Sequence, residues 1–146
     1  MSVDIGRDTV LALCAVGWAD GKMDPAEAAS IRDAAKQLGL SAEDLSAVEG
    51  AIAQRMGLEL VETLRMSRLT RLFTYAVGTL VASVDGAIGP EEQATLALLG
   101  DRLGLSQVAR DRAQNVAHAA RQAGTELDLL KLRSRLSAGL SQIGNE

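Results

Sequence analysis

At 146 residues the chain has the size of one domain and, being 47% apolar with three aromatic side chains, must build an aliphatic, alanine-rich core. A net charge of −4 excludes the basic footprint of a general nucleic-acid binder, and the charge is uneven: residues 1–50 hold nine acids and four bases, net −5. Alanine and leucine at this density, with only two prolines, point to an all-α chain.

The first helix is expected from about Val3 to Ala19, apolar on more than one face and therefore central. Its run Val10 to Ala19 is about half the ~20 residues that span a bilayer. It follows Asp4, Arg7 and Asp8 rather than a positive cluster, and no small-residue cleavage site comes after it, so neither a membrane span nor a signal peptide is expected. Cys14, the single cysteine, reads as core and suits a reducing, cytoplasmic setting.

The helix ends at "ADGKMDPAE", residues 19–27. Gly21 is placed to take a left-handed turn, Asp24 to cap the next helix, Pro25 to open it, and Glu27 to close a capping box. That helix should bury Ala28, Ile31, Ala35 and Leu38 and stop at Gly39 in a Schellman-like end. Ser41 then caps a third helix with Asp44, with Leu45, Val48 and Ile52 inside and Met56 and Gly57 at its end. A short helix around Leu58 to Leu64 leads to Ser67, the expected cap of a long helix reaching Val84. Leu69, Leu72, Phe73, Ala76, Val77, Leu80, Val81 and Val84 share one face of that helix.

Shifting the sequence on itself by 65 residues places Asp20, Gly21, Pro25 and Glu27 on Asp85, Gly86, Pro90 and Glu92, and "LGLS" at 38–41 on "LGLS" at 103–106. Between 11–44 and 76–109 there are ten identities without a gap, which marks an internal duplication. The expected architecture is one compact helical bundle over 1–146. It comprises two three-helix units (about 3–57 and 67–123) related by a pseudo-two-fold, and a C-terminal helix (about 126–143) presenting Leu129, Leu132, Leu136, Leu140 and Ile143. In the second turn, "VDGAIGPEE", Gly89 stands where the first has Asp24.

The first turn looks like the second half of a calcium loop: Asp20 at position 5, Gly21 at the obligatory glycine, Asp24 at position 9 and Glu27 at position 12. Positions 1 and 3 would be Val16 and Trp18, and in the second copy Val81 and Ser83, so two of the strongest donors are missing. It is not an EF-hand. Two readings stay open: a weak calcium or magnesium site on Asp20, Asp24 and Glu27, with Asp85 and Glu92 as a poorer second set, or carboxylates that only close turns and cap helices.

The pattern of apolar helix, "ADG", apolar residue and glutamate opening the next helix, present twice, resembles the TerB-like family of tellurite-resistance proteins. The resemblance spans nearly the whole chain, and related domains occur in membrane-anchored DnaJ-type co-chaperones. It implies an all-helical, non-enzymatic interaction domain tied to metal or stress response. It also implies divalent-cation binding at the positions of Asp20, Glu27, Asp85 and Glu92, a protein partner, and a membrane-associated complex.

Other features carry less. His118 has no second nitrogen or thiol ligand nearby in sequence, and no phosphate loop, nucleophile elbow or metalloprotease motif is present. Trp18 should pack over the turn. Arg65, Arg68 and Arg71 recur every three residues and share a helical face, either as a solvated stripe or as a surface for an acidic partner or lipid headgroups. An enzyme using paired carboxylates is the alternative from another class. No specific nucleic-acid partner is expected.

Overall fold

The structure is a computed structural model that describes residues 6–18, 21, 23, 25–54, 62–63, 66–82, 89–122 and 139. Among these residues it forms six helices and no strand: α1 (Arg7–Gly17), α2 (Pro25–Gln37), α3 (Ala42–Ala53), α4 (Arg68–Ala82), α5 (Pro90–Arg102) and α6 (Gln107–Gln122).

α1 is buried from Thr9 through Gly17, because α2, α3, α4 and α5 all pack against it. α4 is the other central element, touching α1, α5 and α6. The one-face expectation for α4 is too narrow. Thr70, Thr74, Tyr75, Gly78 and Thr79 are buried as well as the apolar stripe, while Leu80 is half-buried. A helix with neighbours on several sides cannot keep a polar face in water. Instead α4 buries threonines, whose hydroxyls bond locally: Thr74 Oγ1 donates to Thr70 O at 2.8 Å and Thr79 Oγ1 to Ala76 O at 2.6 Å.

The 65-residue spacing recurs in the element bounds. α2 and α5 start at Pro25 and Pro90 and end at Gln37 and Arg102; α3 and α6 start at 42 and 107; α1 and α4 end at 17 and 82. Gly39 and Gly104 both take positive φ, +67° and +69°. At Gly104 the end is a full Schellman motif, with Gly104 N–H on Asp101 O and Leu105 N–H on Gly100 O, both at 3.0 Å. Ser41 and Ser106 each accept from the backbone N–H three residues on, at 3.1 and 3.2 Å.

The copies differ where they pack. Arg110 of α6 lies over Gly100 of α5: a Cβ at Gly100 would meet Arg110 Nε at 2.5 Å. In the first copy the same two positions are Ala35 and Leu45. The larger side chain on one helix is matched by a missing methyl on the other.

Several boundaries depart from expectation. α3 ends at Ala53, three residues before Met56, because Gln54 turns extended (φ −136°, ψ 138°). Met56 and Gly57 lie outside the described residues. Leu45 is half-buried, and Ala51 joins Val48 and Ile52 on the inner face of α3. The short helix around Leu58–Leu64 does not include Glu62 and Thr63, which are non-helical; the rest of that stretch is not described. Ser67 caps α4 as expected, its Oγ accepting from Thr70 N–H at 3.1 Å. Val84 and the C-terminal helix fall outside the described residues, apart from helical Gly139, which sits against Val116 of α6.

Candidate functional site

The first Asp-Gly turn is built where α1 hands over to α2. Gly21 takes φ +87°, a conformation that costs a residue with a Cβ about 1 kcal/mol, and its N–H donates to Trp18 O at 2.9 Å. Trp18 is itself tied down. Its Nε1 donates to Ala51 O at 2.9 Å, so it closes the last turn of α3 as well as ending α1. Pro25 opens α2 where a missing N–H costs nothing, and Glu27 is its third residue. Asp20, Asp24, Asp85 and Gly86 lie outside the described residues, as does the side chain of Glu27.

In the second turn Pro90 opens α5 and Glu92 is half-buried, with Oε1 accepting from Gly89 N–H at 3.2 Å. Gly89 is extended (φ −78°, ψ 171°) and has no side chain to bond in return, so half of a capping box is formed. One oxygen of this carboxylate is therefore committed to the backbone. Among the described residues no three His, Cys, Asp or Glu side chains are grouped to hold an ion.

Of the three arginines, Arg71 is not part of a solvated stripe. Arg65 is outside the described residues, and Arg68 is exposed at the start of α4. Arg71 turns onto the protein: Nε donates to Met66 O at 3.2 Å, Nη1 to Leu103 O at 3.2 Å and Nη2 to Thr63 O at 3.0 Å. The planar fork joins the segment before α4 to the end of α5, where Leu103 O is left open by the helix end, while Thr63 O also accepts from Met66 N–H at 3.1 Å. Regular spacing in sequence gave no sign of this, since a three-residue period fits a solvated face equally well.

A cleft of about 250 Å³ opens between the starts of α1 and α4. Asp8 and Glu62 face it together with Thr9, Ser67, Thr70 and Met66. Asp8 Oδ1 accepts from Glu62 N–H at 3.2 Å, which pins the segment before α4 to the first unit. Behind the rim runs a chain of hydroxyls. Ser67 Oγ donates to Thr70 Oγ1 at 3.0 Å, and Thr74 pairs with Thr9 at 3.0 Å. Of these residues only Ser67 was singled out from sequence, and as a helix cap; the available signal for the threonines was the four-residue spacing of Thr70 and Thr74 in α4.

Cys14 is wholly buried, and burial, helped by the negative charge of Glu49, pushes its thiol up to about 12. It is an inert core residue. Burial also raises the Tyr75 phenol, against the opposing effects of a hydrogen bond from Gln114 Nε2 (3.1 Å) and the charge of Arg110. His118 is exposed on α6.

Residues 1–49 match the family model described as Tellurite resistance protein TerB. The match takes in α1, the first Asp-Gly turn, α2 and most of α3, and over this stretch the chain is TerB-like, in keeping with its all-helical fold. No curated protein matches the chain, and no solved structure does. Among the described residues, no helix is long and apolar enough to cross a membrane.

Proposed function

We propose that this chain is a non-catalytic, TerB-like interaction domain whose first Asp-Gly turn holds a calcium or magnesium ion weakly and which serves a protein partner in metal or stress response. The observation that carries the reading is the position of the family match. It contains Asp20, Asp24 and Glu27, and within it Gly21 holds the left-handed turn just ahead of α2. A donor set of carboxylates alone suits a hard cation rather than a thiophilic or imidazole-seeking metal. In the second turn Gly89 removes one acid and Glu92 already caps its helix, so Asp85 and Glu92 make the poorer set. The anionic-surface alternative is weakened because Arg71 is spent on three carbonyls.

The reading includes the architecture: one domain of two three-helix units about a pseudo-two-fold, with a C-terminal helix. Thr9 and Thr74 support it. They are equivalent positions, 65 apart, and their hydroxyls meet at 3.0 Å, as two equivalent groups do only beside a symmetry axis.

Thermal melts at matched ionic strength test the ion site. A dissociation constant of about 0.1 mM, at roughly 10 mM metal, adds about 2.7 kcal/mol by mass action. For a domain of this size that raises the melting temperature by roughly 5 to 10 °C. The rise should disappear in Asp20→Asn with Glu27→Gln and persist in Asp85→Asn. If calcium and magnesium shift the melt no more than sodium does, the acids are turn and cap residues and the ion site is rejected.

A further inference from the structure

We infer that Trp18 couples the first Asp-Gly turn to the C-terminal end of α3, so that a change in the turn is felt at the exposed surface where α3 ends. The contact has two halves. On the turn side, Trp18 O accepts from Gly21 N–H at 2.9 Å, with Gly21 at φ +87°. On the other side, Trp18 Nε1 donates to Ala51 O at 2.9 Å. Gln54 leaves the helix at φ −136° and ψ 138°, so helix geometry supplies no N–H to Ala51 O, and the indole takes that place. A second fastening starts beyond the turn, where Arg32 of α2 pairs with Glu49 of α3 at 3.1 Å. The turn therefore lies between two elements that are both tied to the last turns of α3.

The second unit is the matched control, and its residues at these positions cannot make either fastening. Shifted by 65, Trp18, Arg32 and Glu49 become Ser83, Ala97 and Gln114. Gln114 bonds the Tyr75 hydroxyl instead, at 3.1 Å. α3 ends at Ala53, but α6 runs past the equivalent position 118 to Gln122. Val116, the counterpart of Ala51, thus lies within continuing helix, where the backbone supplies its carbonyl with a donor. The scaffold builds α4, α5 and α6 without these three side chains, so the helices alone do not call for them. The unit that carries them is also the one whose turn has the full set of acids, Asp20, Asp24 and Glu27. The element with two states is the last turn of α3, capped by the indole or frayed, and helix ends open at low cost. A displaced turn shifts the Trp18 backbone, and the stiff indole carries that shift to Ala51 O.

Amide hydrogen exchange of the full chain, read residue by residue, tests the coupling. The reporter is Gln54 N–H, which donates to Gly50 O at 3.0 Å at the end of α3. The reference is Gly104 N–H, which donates to Asp101 O at 3.0 Å at the end of α5. Both residues are exposed, so both amides exchange by local opening. Gly21→Ala puts a Cβ on a positive-φ residue and should speed exchange at Gln54 about fivefold, leaving Gly104 within about twofold. Trp18→Phe keeps an aromatic ring without the N–H. It should speed Gln54 by itself, and Gly21→Ala added to it should bring little more. Equal effects at Gln54 and Gly104, or none at Gln54, overturn the coupling, as does a Gly21→Ala effect that Trp18→Phe leaves unchanged. If Trp18→Phe does not fold, the comparison of Gln54 with Gly104 in Gly21→Ala decides alone. A last arm rests on the ion site proposed above: about 10 mM calcium or magnesium should slow Gln54 in the parent and not in Trp18→Phe. Where neither ion acts while Gly21→Ala does, the ion site is rejected and the coupling stands.

Discussion

Replacing Arg71 by alanine separates a clamp from a solvated stripe. The side chain is half-buried and places three donors on three carbonyls, of Thr63, Met66 and Leu103, at 3.0 to 3.2 Å. Leu103 is buried, so its carbonyl is poorly placed to recover water when the guanidinium goes, whereas Thr63 O keeps the N–H of Met66 at 3.1 Å. A hydrogen bond to a charged donor contributes about 1.5 to 3 kcal/mol net. Discounting for partial exposure and non-additivity, the loss in Arg71→Ala should be about 2 to 4 kcal/mol. Lysine keeps the charge but not the fork, so Arg71→Lys should lose roughly half as much. Arg68→Ala, at the exposed start of the same helix, should stay within about 0.5 kcal/mol of the parent. Urea unfolding followed by far-UV circular dichroism measures all three. If Arg71→Ala is no more destabilising than Arg68→Ala, the clamp contributes nothing and the three arginines are one solvated face after all.

Two further outcomes follow from the packing. Gly100→Ala should destabilise by about 1 to 3 kcal/mol, since the new Cβ displaces an Arg110 side chain fixed on Leu105 O (2.9 Å) and Asp101 (2.7 Å). Gly100→Ala with Arg110→Leu, the pair used in the first copy, should recover most of that loss in the same urea titrations; strict additivity would refute the matched-pair account. Cys14 should resist a disulfide-exchange reagent at pH 8 until the chain is unfolded in urea. Its folded value of about 12 lies above the ordinary 9.0, so the unfolded chain loses the proton first. Stability should therefore fall as pH rises from 9 toward 12, by up to about 1.4 kcal/mol per pH unit, and Cys14→Ala should remove this part of the slope while leaving that of Tyr75.

Much of the helical layout was legible because it depends on local chemistry. Glycine at 39 and 104, serine at 41, 67 and 106, and proline at 25 and 90 act on their own neighbouring backbone, and each stands where its chemistry requires. The duplication is a property of the string itself, and the element bounds repeat its 65-residue spacing. The acids of the first turn form a candidate donor set in the sequence, and Asp20, Asp24 and the side chain of Glu27 lie outside the described residues.

What only the tertiary structure decided involves groups distant in sequence. Arg71 reaches a carbonyl 32 residues away, and Trp18 one 33 residues away. Whether such a side chain is solvated or spent depends on what the fold brings beside it, and a period of three or four cannot encode that. The burial of Thr9, Thr70 and Thr74 has the same origin. A threonine looks like the polar edge of a helix until a second helix covers it, and then its hydroxyl must find a partner inside. The exchange of Ala35 and Leu45 for Gly100 and Arg110 was visible as letters in the alignment of the two copies. Its meaning, a methyl removed to admit a guanidinium, exists only once α5 and α6 lie side by side. Local backbone demands are written into the sequence residue by residue, whereas the use of a long polar side chain is settled by the neighbours that folding supplies.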